Sequence, residues 1–261
     1  MGQFLIMKNK ISWYYKKIRF ILKRKINLDK KIIKYNSLND LFNYFGSDKG
    51  TSVINPYSKN SNQIIGHGFG EFYEKYLEKV KNKKINLLEI GIWEGSSIAA
   101  FNKFMPDANI FGIDRNFKLK YKSKKIFFFN CNTEKYNDLN NFKKKISKSK
   151  FNIIIDDGSH LLKDIISNLK FFYNLLEVDG YYIIEDFNHP EYYKYLNNSN
   201  GDELLFREII NNIKNKTFFK SKILNKFDQK YLFENIKDVN IFKGKMIDNK
   251  ENVSDIVFFR K

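Results

Sequence analysis

The chain contains a single cysteine and no long apolar run, and both absences exclude whole classes of protein. With Cys131 as the only cysteine among 261 residues, an internal disulfide framework is excluded and a reducing compartment is favoured. A membrane-spanning helix needs about twenty consecutive apolar residues, and the sequence has no such run. The lysine-rich N-terminus does not match a secretory signal. We therefore expect a cytoplasmic protein, with the inner membrane surface as a candidate location.

Acidic residues are comparatively few, because 47 Lys and Arg face 29 Asp and Glu and leave a net charge of +18. This excess favours an anionic partner: the phosphates of a nucleotide-linked substrate, a membrane face or nucleic acid. A genome biased toward Lys, Asn and Ile produces the same excess, so the charge alone does not choose among these partners. The length allows one full α/β domain with a small N-terminal addition.

The G-x-G-x-x-G fingerprint of dinucleotide-binding proteins does not occur at the first strand-to-helix turn, and a different glycine corner stands there. The apolar strand over 87–90 runs into Gly91, and Gly95, Ser96 and Ser97 then open a helix. The two glycines let the backbone approach a ligand, and the serines can cap a helix whose free N–H groups face an anion. This pattern predicts a nucleotide-like cofactor other than nicotinamide.

A second strand ends in Asp114, whose carboxylate is placed to accept hydrogen bonds from ribose hydroxyls. Because further apolar segments alternate with helical patterns, we predict an α/β fold: a Rossmann-like, seven-stranded, mostly parallel sheet with helices on both faces and an antiparallel last strand. The predicted strands are 87–90, 109–114, 126–130, 151–155, 181–184, 239–242 and 255–259. We divide the chain into a basic, aromatic, helical N-terminal extension, 1–46, and a main domain, 47–261.

Acidic side chains stand at or near the ends of several predicted strands. They are Glu89, Asp114, Asp156, Asp157, Glu185 and Asp186. Because the carboxyl ends of parallel strands meet at one edge of a sheet, these acids would converge on one crevice and repel each other unless a cation or hydrogen-bond donors compensate. Asp157, Glu185 and Asp186 offer the hard oxygens that Mg²⁺ prefers. Capping of helices and loops by some of these acids is the alternative that the sequence leaves open.

Two segments outside the strands carry predictions of their own. Residues 8–35 interleave aromatic and aliphatic side chains with Lys and Arg. This is typical of a helix that lies on an anionic membrane surface, or of one that packs on the domain or on a second subunit of a homo-oligomer. The segment from Thr51 to Gly70 is rich in Asn, Ser and Gly, and we expect a loop that folds over the active site.

Four motifs together resemble the class I S-adenosylmethionine-dependent methyltransferases. They are the run 87–97, the strand end 111–114, the Asp-Asp-Gly-Ser-His loop at 156–160 and the Ile-Glu-Asp at 184–186. More narrowly, they are similar to the metal-dependent sugar O-methyltransferases of the macrocin and mycinamicin type. The pieces 47–51 and 67–69 also resemble the N-terminal loop of that family. The resemblance covers roughly Ser47 to Asp186.

The resemblance implies roles for individual residues. In that family the cofactor lies across the first two strand ends, which implies Glu89, Gly91 and Asp114 here. To these candidate cofactor-binding residues we add Gly95, Ser96, Ser97, Asn132 and Asp156. The implied ligands of a divalent cation are Asp157, Glu185 and Asp186, and the family's base matches His160. Where the family has Asp-Gln after the third strand, this chain has Cys131-Asn132.

We therefore expect an S-adenosylmethionine-dependent, Mg²⁺-dependent O-methyltransferase. Its expected substrate is a sugar hydroxyl on a nucleotide sugar, a surface glycan or a glycosylated natural product, and nucleic acid is not an expected partner. Mg²⁺ would lower the pKa of the acceptor hydroxyl while His160, on the same loop as Asp157, takes the proton. We assign His189 a supporting role beside these two residues.

Three other functions are left open by the sequence. Asp157, His160 and His189 form a candidate ligand set for a mononuclear iron oxygenase, which leaves the corner at Gly91 unexplained. A nucleic-acid methyltransferase is favoured by the charge, but amino-directed enzymes of that type carry Asn/Asp-Pro-Pro-aromatic after the fourth strand, where this chain has Asp-Asp-Gly-Ser-His. A non-enzymatic membrane-surface adaptor would need only residues 8–35.

Overall fold

The structure of the protein is a computed structural model that describes residues 14–53, 66–248 and 251–261. Most of the loop predicted between Thr51 and Gly70 lies outside the described residues, as does the start of the N-terminal extension. Within the described ranges, no helix is both long and apolar enough to cross a bilayer.

A central sheet organises the molecule. In chain order the strands are β1 (Ile26–Asn27), β2 (Asn86–Ile90), β3 (Asn109–Asp114), β4 (Tyr121–Lys122), β5 (Ile126–Asn130), β6 (Phe151–Asp156), β7 (Leu176–Glu185), β8 (Asp238–Lys243), β9 (Ile247–Asp248), β10 (Glu251–Asn252) and β11 (Asp255–Arg260). The central sheet has the order β5-β3-β2-β6-β7-β11-β8. Its first five strands pair in parallel, whereas β11 runs antiparallel to both β7 and β8. The predicted seven-stranded sheet with an antiparallel last strand is confirmed.

Helices cover both faces of this sheet. In chain order they are α1 (14–22 in its described part), α2 (Leu38–Phe45), α3 (Gly70–Leu77), α4 (Ser96–Phe104), α5 (Tyr136–Ile146), α6 (Leu162–Phe172), α7 (His189–Tyr192), α8 (Phe206–Asn215) and α9 (Lys226–Asn235). Local chemistry sets some of these ends. The side chain of Ser37 caps α2 by accepting a hydrogen bond from the backbone of Asp40, and Gly46 ends that helix with φ of 72°.

The alternation of side chains along the strands divides the hydrophobic core in two, because successive residues of a strand point to opposite faces of the sheet. Leu88 and Ile154 pack on the face covered by α5, α6, α8 and α9. Leu87 and Ile155 pack on the other face, which α2, α3 and α4 cover. The inner strands β2, β3 and β6 are therefore largely buried on both sides, which explains why most of their residues are apolar.

The described end of the N-terminal extension packs into the second of these cores. Leu28 and Phe42 are fully buried there, and the ring of Phe42 meets that of Phe101 in α4 edge-on, with 5.3 Å between ring centroids. β1 pairs in parallel with β4. The division of the chain at residue 46 stays a prediction. The turn after α2 begins beside α4 and reaches the carboxyl ends of the strands.

Candidate active site

The glycine corner after β2 is packed against its neighbours. Gly91 has φ of +85°, and a Cβ there would overlap the backbone carbonyl of Asp157. Gly95, with φ of +86°, precedes α4, and a Cβ there would overlap the side chain of Leu119. Glycine alone combines this left-handed backbone with the missing Cβ. The corner therefore lets the ends of β2 and β6 lie in direct backbone contact.

A cavity of about 550 Å³ opens at the carboxyl ends of β2, β3 and β6. Among the predicted site residues, its walls include Gly91, Ser96, Ser97, Asp114, Asn132 and Asp157. Ser96 and Ser97 are the first residues of α4. Because the first N–H groups of a helix have no partner within it, this wall favours an anionic or strongly polar ligand group.

The carboxylate of Asp114 is held by two backbone donors. The N–H of Trp93 donates to Oδ2 at 2.9 Å, and the N–H of Asn116 donates to Oδ1 at 2.6 Å. Burial raises the pKa of Asp114 despite these donors. Each oxygen keeps a second lone pair. Since Asp114 also lines the cavity, it is placed to accept hydrogen bonds from a pair of neighbouring hydroxyls.

Three predicted cofactor-binding residues lie outside the cavity walls: Glu89, Gly95 and Asp156. Glu89 is fully buried and accepts a hydrogen bond from Oγ of Ser97 at 2.8 Å. Asp156 instead accepts a hydrogen bond from Nδ2 of Asn168 in α6 at 3.2 Å, and burial raises its pKa to about 7. Asp156 ends β6, and the alternation of the strand directs it to α6. These residues support the corner from behind the cavity wall.

A lysine without a predicted role lies at the centre of the acidic crevice. The side chain of Lys49 is 1% exposed, and its ammonium pairs with Oδ2 of Asp157. The same Nζ lies 2.8 Å from Oε2 of Glu185 and 3.4 Å from Oε1 of Glu89. The hydroxyl of Tyr73 donates to Oε1 of Glu185. One ammonium therefore bridges acids from the ends of β2, β6 and β7.

Backbone hydrogen bonds fix the segment that carries this lysine. The N–H of His67 donates to the carbonyl of Asp48 at 2.6 Å, and that of Phe69 donates to the carbonyl of Lys49 at 2.8 Å. The N–H of Gly68 donates to the carbonyl of Gly50 at 2.9 Å. Residues 48–50 and 66–69 are thus fastened to each other beside the crevice.

Three carboxyl groups surround the single ammonium of Lys49. Burial opposes protonation of Lys49, but the carboxylates around it raise its pKa well above the ordinary value, so the side chain is an ammonium. Burial raises the pKa of Glu89 to about 7 and also raises that of Glu185, in both cases against the lowering effect of Lys49. The crevice is therefore suited to a further positive charge.

Imidazole rings surround Asp186. Nδ1 of His67 lies 3.1 Å from Oδ1 of Asp186, and Nε2 of His189 lies 3.7 Å from the same oxygen. Nε2 of His160 lies 3.5 Å from Oδ1 of Asp157. His160 and Asp186 both have a left-handed backbone, with φ of 55° and 50°, a strained conformation that concentrates at functional sites. The structure thus places the predicted base beside a predicted cation ligand.

The imidazoles differ in charge. Burial lowers the pKa of His189 to about 4, so its ring is neutral at neutral pH. Burial also opposes protonation of His67, but the adjacent Asp186 raises the pKa of His67 to about 9. Burial tends to raise the pKa of Asp186. The neighbouring His67 has the opposite effect, and the pKa of Asp186 lies below its usual range. Asp186 is therefore an anion next to a cationic and a neutral ring.

The sequence predicted neither Lys49, Tyr73 nor His67 as part of the crevice. Lys49 and His67 stand in the two pieces that resemble the N-terminal loop of the methyltransferase family, and that resemblance was the available signal. Tyr73 gave no signal, because it lies on α3 among apolar residues at helical spacing.

The residues of the crevice can hold a divalent cation. Oδ1 of Asp186 and Nε2 of His189 are buried and make no hydrogen bond of acceptable geometry. Such a buried oxygen is unfavourable unless a donor or a cation reaches it. Ligand atoms of His160, Asp186 and His189 lie within 4.8 Å of one another. The two-histidine set that the structure assembles therefore contains Asp186, where the sequence predicted Asp157.

No family model matches the chain. The chain is similar to the mycinamicin VI 2''-O-methyltransferase of Micromonospora griseorubida, with 25% identity over 127 residues, and to the L-olivosyl-oleandolide 3-O-methyltransferase of Streptomyces antibioticus, with 26% over 129 residues. It is also 25% identical over 127 residues to the demethylmacrocin O-methyltransferase of Streptomyces fradiae. Each match covers 46% of this chain but only 31% or 32% of the relative.

Solved structures resemble a larger part of the chain. The MycE methyltransferase of the mycinamycin biosynthetic pathway, in complex with Mg, SAH and mycinamycin VI, matches with a TM-score of 0.60 and 18% identity over 87% of this chain and 54% of that protein. A complex of MycE with Mg and SAH gives a TM-score of 0.62. The chain thus has the fold of the class I S-adenosylmethionine-dependent methyltransferases, and the resemblance seen in the sequence is confirmed.

Proposed function

We propose that this chain is an S-adenosylmethionine-dependent and Mg²⁺-dependent O-methyltransferase that acts on a hydroxyl group of a sugar. The observation that carries the proposal is that the ligand cavity and the acidic crevice share Asp157. This residue lines the cavity beside Gly91 and also pairs with Lys49 in the crevice. A methyl donor in the cavity would therefore lie next to a cation in the crevice. The named relatives, which are O-methyltransferases, support the same chemistry.

On the cofactor side, the residues of the chain mainly bind and orient. When bound, S-adenosylmethionine would supply a methyl group whose bond to sulfur breaks as its carbon bonds to the acceptor oxygen. Asp114 would accept hydrogen bonds from the ribose hydroxyls, and Gly91 lets the backbone approach the ligand. Asn132 lines the same cavity on the side of β5. Because a displacement of this kind needs alignment above all, such positioning supplies much of the rate enhancement.

On the acceptor side, the problem is that a sugar hydroxyl is far too weak an acid for an imidazole, whose ordinary pKa is about 6.5. Mg²⁺ held by Asp157, Glu185 and Asp186 would supply a Lewis acid that lowers the pKa of the acceptor. His160 is placed to take the proton, and the neighbouring Asp157 stabilises the imidazolium that results. Lys49 and Tyr73 orient Glu185 by bonding one oxygen each.

Transfer of a labelled methyl group tests this function directly. The chain would be incubated with labelled S-adenosylmethionine and a panel of nucleotide-activated sugars, glycosylated macrolides and capsular oligosaccharides, with Mg²⁺ or with EDTA. We expect incorporation into at least one sugar in the presence of Mg²⁺ and its loss with EDTA. Calorimetry with S-adenosylhomocysteine provides the independent measurement, and a chain that does not bind it is not this enzyme.

Replacement of Asp186 by asparagine should weaken cation binding. Asparagine adopts the left-handed backbone of this position readily, so the fold should be retained. The substitution removes the carboxylate charge at the buried oxygen that lacks a hydrogen bond, and we expect the Mg²⁺ affinity to fall roughly 10–100-fold, measured by calorimetry. Asp179→Asn, which removes the same charge from an exposed side chain, is the control and should leave the affinity unchanged. Equal affinities in both variants would remove Asp186 from the cation site.

Replacement of His160 by asparagine should slow the reaction without weakening binding. The side chain lost is the proposed base, so kcat should fall roughly 10²-fold while the affinities for S-adenosylhomocysteine and Mg²⁺ stay the same. Asparagine also tolerates the φ of 55° at this position. His189→Asn removes the neighbouring ring, 5.0 Å away, and should have a smaller effect on kcat. If the His189 variant loses more activity, the base is assigned to the wrong ring.

An oxygenase is the second candidate, because His160, Asp186 and His189 form a two-histidine, one-carboxylate group that binds iron in other enzymes. The same calorimetry decides between the two functions. An oxygenase has no use for S-adenosylhomocysteine, whereas the methyltransferase binds it through the cavity next to Gly91.

A further inference from the structure

The described part of α1 presents an apolar stripe to solvent. With about 100° of rotation per residue, Tyr14, Tyr15, Ile18, Ile21 and Leu22 fall within an arc of about 120° on one side of the helix. All five are exposed, from 55% for Ile18 to 78% for Leu22. Surface helices of globular proteins normally turn such a stripe toward the core. The stripe of α1 faces the opposite way.

The orientation of the helix is set by one aromatic residue on its other side. Phe20 lies roughly opposite the stripe and is the one residue in the described part of α1 that is partly buried rather than exposed. Its ring packs on Phe117 and Phe128, with 5.5 and 5.4 Å between ring centroids. The ammonium of Lys25 lies 3.8 Å from the centre of the same ring. Phe20 thus attaches α1 to the domain with its apolar stripe outward.

Basic side chains flank the stripe on both sides. Arg19 stands next to one edge of the arc, about 40° beyond it, and Lys17 stands about 40° beyond the other. Long basic side chains in this position can extend along the helix and place their charges at the level of anionic headgroups while the apolar stripe enters the acyl boundary. The charge of the whole chain, +18, has the same sign. A surface that binds nucleic acid is expected to be charged, whereas the outward face of α1 is apolar. This face therefore favours lipid over nucleic acid.

We infer that α1 docks this protein onto an anionic phospholipid surface, with the stripe inserted and the flanking Arg and Lys at the headgroups. This is peripheral binding, in which the helix lies along the lipid surface. Phe117, on which α1 rests, directly follows Asn116 in the cavity wall. A docked α1 would therefore hold the rim of the cavity close to the lipid surface.

Sedimentation of the full chain with lipid vesicles tests this inference. We expect binding to vesicles of phosphatidylglycerol and phosphatidylcholine, much weaker binding to phosphatidylcholine alone, and release as NaCl is raised. The double substitution Ile18→Asp and Leu22→Asp should lower the affinity at least about tenfold. Phe227→Asp is the matched control, because Phe227 is as exposed as Leu22, at 78%, but lies on α9. It should bind as the unaltered chain does.

Three results would overturn the inference. The first is equal binding of the double variant and the unaltered chain to anionic vesicles. The second is that light scattering shows self-association of the unaltered chain that the double variant loses, since α1 would then be an interface between copies. The third is that the double substitution abolishes retention on a DNA or RNA column and leaves vesicle binding intact. None of these readouts depends on methyl transfer.

Discussion

Replacing Gly91 with alanine should abolish measurable binding of S-adenosylhomocysteine and destabilise the fold. The new Cβ would overlap the carbonyl of Asp157 and lie 2.7 Å from its carbonyl carbon, and alanine would be strained at φ of +85°. Strain and overpacking together should lower the free energy of unfolding by roughly 2–5 kcal/mol. To relieve the overlap, the ends of β2 and β6 must separate, and a displacement of about 1 Å at such a site is enough for a 10²-fold loss. Calorimetry and denaturant unfolding measure the two effects.

Gly201→Ala separates the strain from the overlap. Gly201 has nearly the same left-handed backbone, with φ of +81°, but a Cβ there meets nothing within 4 Å. This control should lose only the stability that the backbone strain costs, about 1–2 kcal/mol, and should bind S-adenosylhomocysteine normally. If the two alanine variants behave alike, the close contact at Gly91 has no role in forming the cavity.

Replacing Lys49 with methionine should destabilise the protein by roughly 3–5 kcal/mol, because the buried acids around it would lose their ammonium. Methionine preserves the apolar length of the side chain, so the loss reports mainly on charge. The matched control is Lys230→Met, which breaks an exposed pair with Glu234 and should change the free energy of unfolding by less than about 0.5 kcal/mol. Denaturant unfolding at pH 7 measures both variants.

The pH dependence of the Lys49 variant has a definite sign. Burial raises the pKa of Glu89 in the folded protein, and removing Lys49 removes an effect that lowers it. The folded variant therefore holds more protons than the unfolded chain, and its stability falls as pH rises toward neutrality. Its deficit should shrink on acidification to pH 5. The double variant Lys49→Met, Asp157→Asn should recover part of the loss, and no recovery would mean that charge is not the cause.

The fold could be predicted because its inner strands are rich in apolar residues. Leu87 lies on one face of the parallel sheet and Leu88 and Ile154 lie on the other, and burial of both faces favours apolar residues at most positions. α9 was not predicted, although Asn225 and Asp228 form a capping box at its start, because its apolar residues do not follow a clear helical period. The pairing of β1 with β4 could not be predicted either, because each strand has only two residues and two residues cannot show an alternating pattern.

The parts of the site that depend on local sequence could be predicted. The contacts between segments far apart in the sequence could not. The corner at Gly91 and the acids at the strand ends follow from the turn and from the parallel sheet. Asp156 shows the limit of that rule, since adjacent residues of a strand cannot share one face. Lys49 bonds Glu185 across 136 positions of sequence, and no local pattern reports that contact. The ligand roles of Asp157, Glu185 and Asp186 stay predictions.

The backbone hydrogen bonds between residues 48–50 and 66–69 have a consequence for sequence changes in the segment that joins them. A segment whose two ends are held together can change in length or composition at little cost in conformational entropy, because its ends stay in place. Lys49 lies at one of these ends, so changes in the intervening residues would leave its ion pairs with the carboxylates intact. A substitution or a change of length within residues 54–65 should therefore be tolerated more readily than a substitution of Lys49 itself.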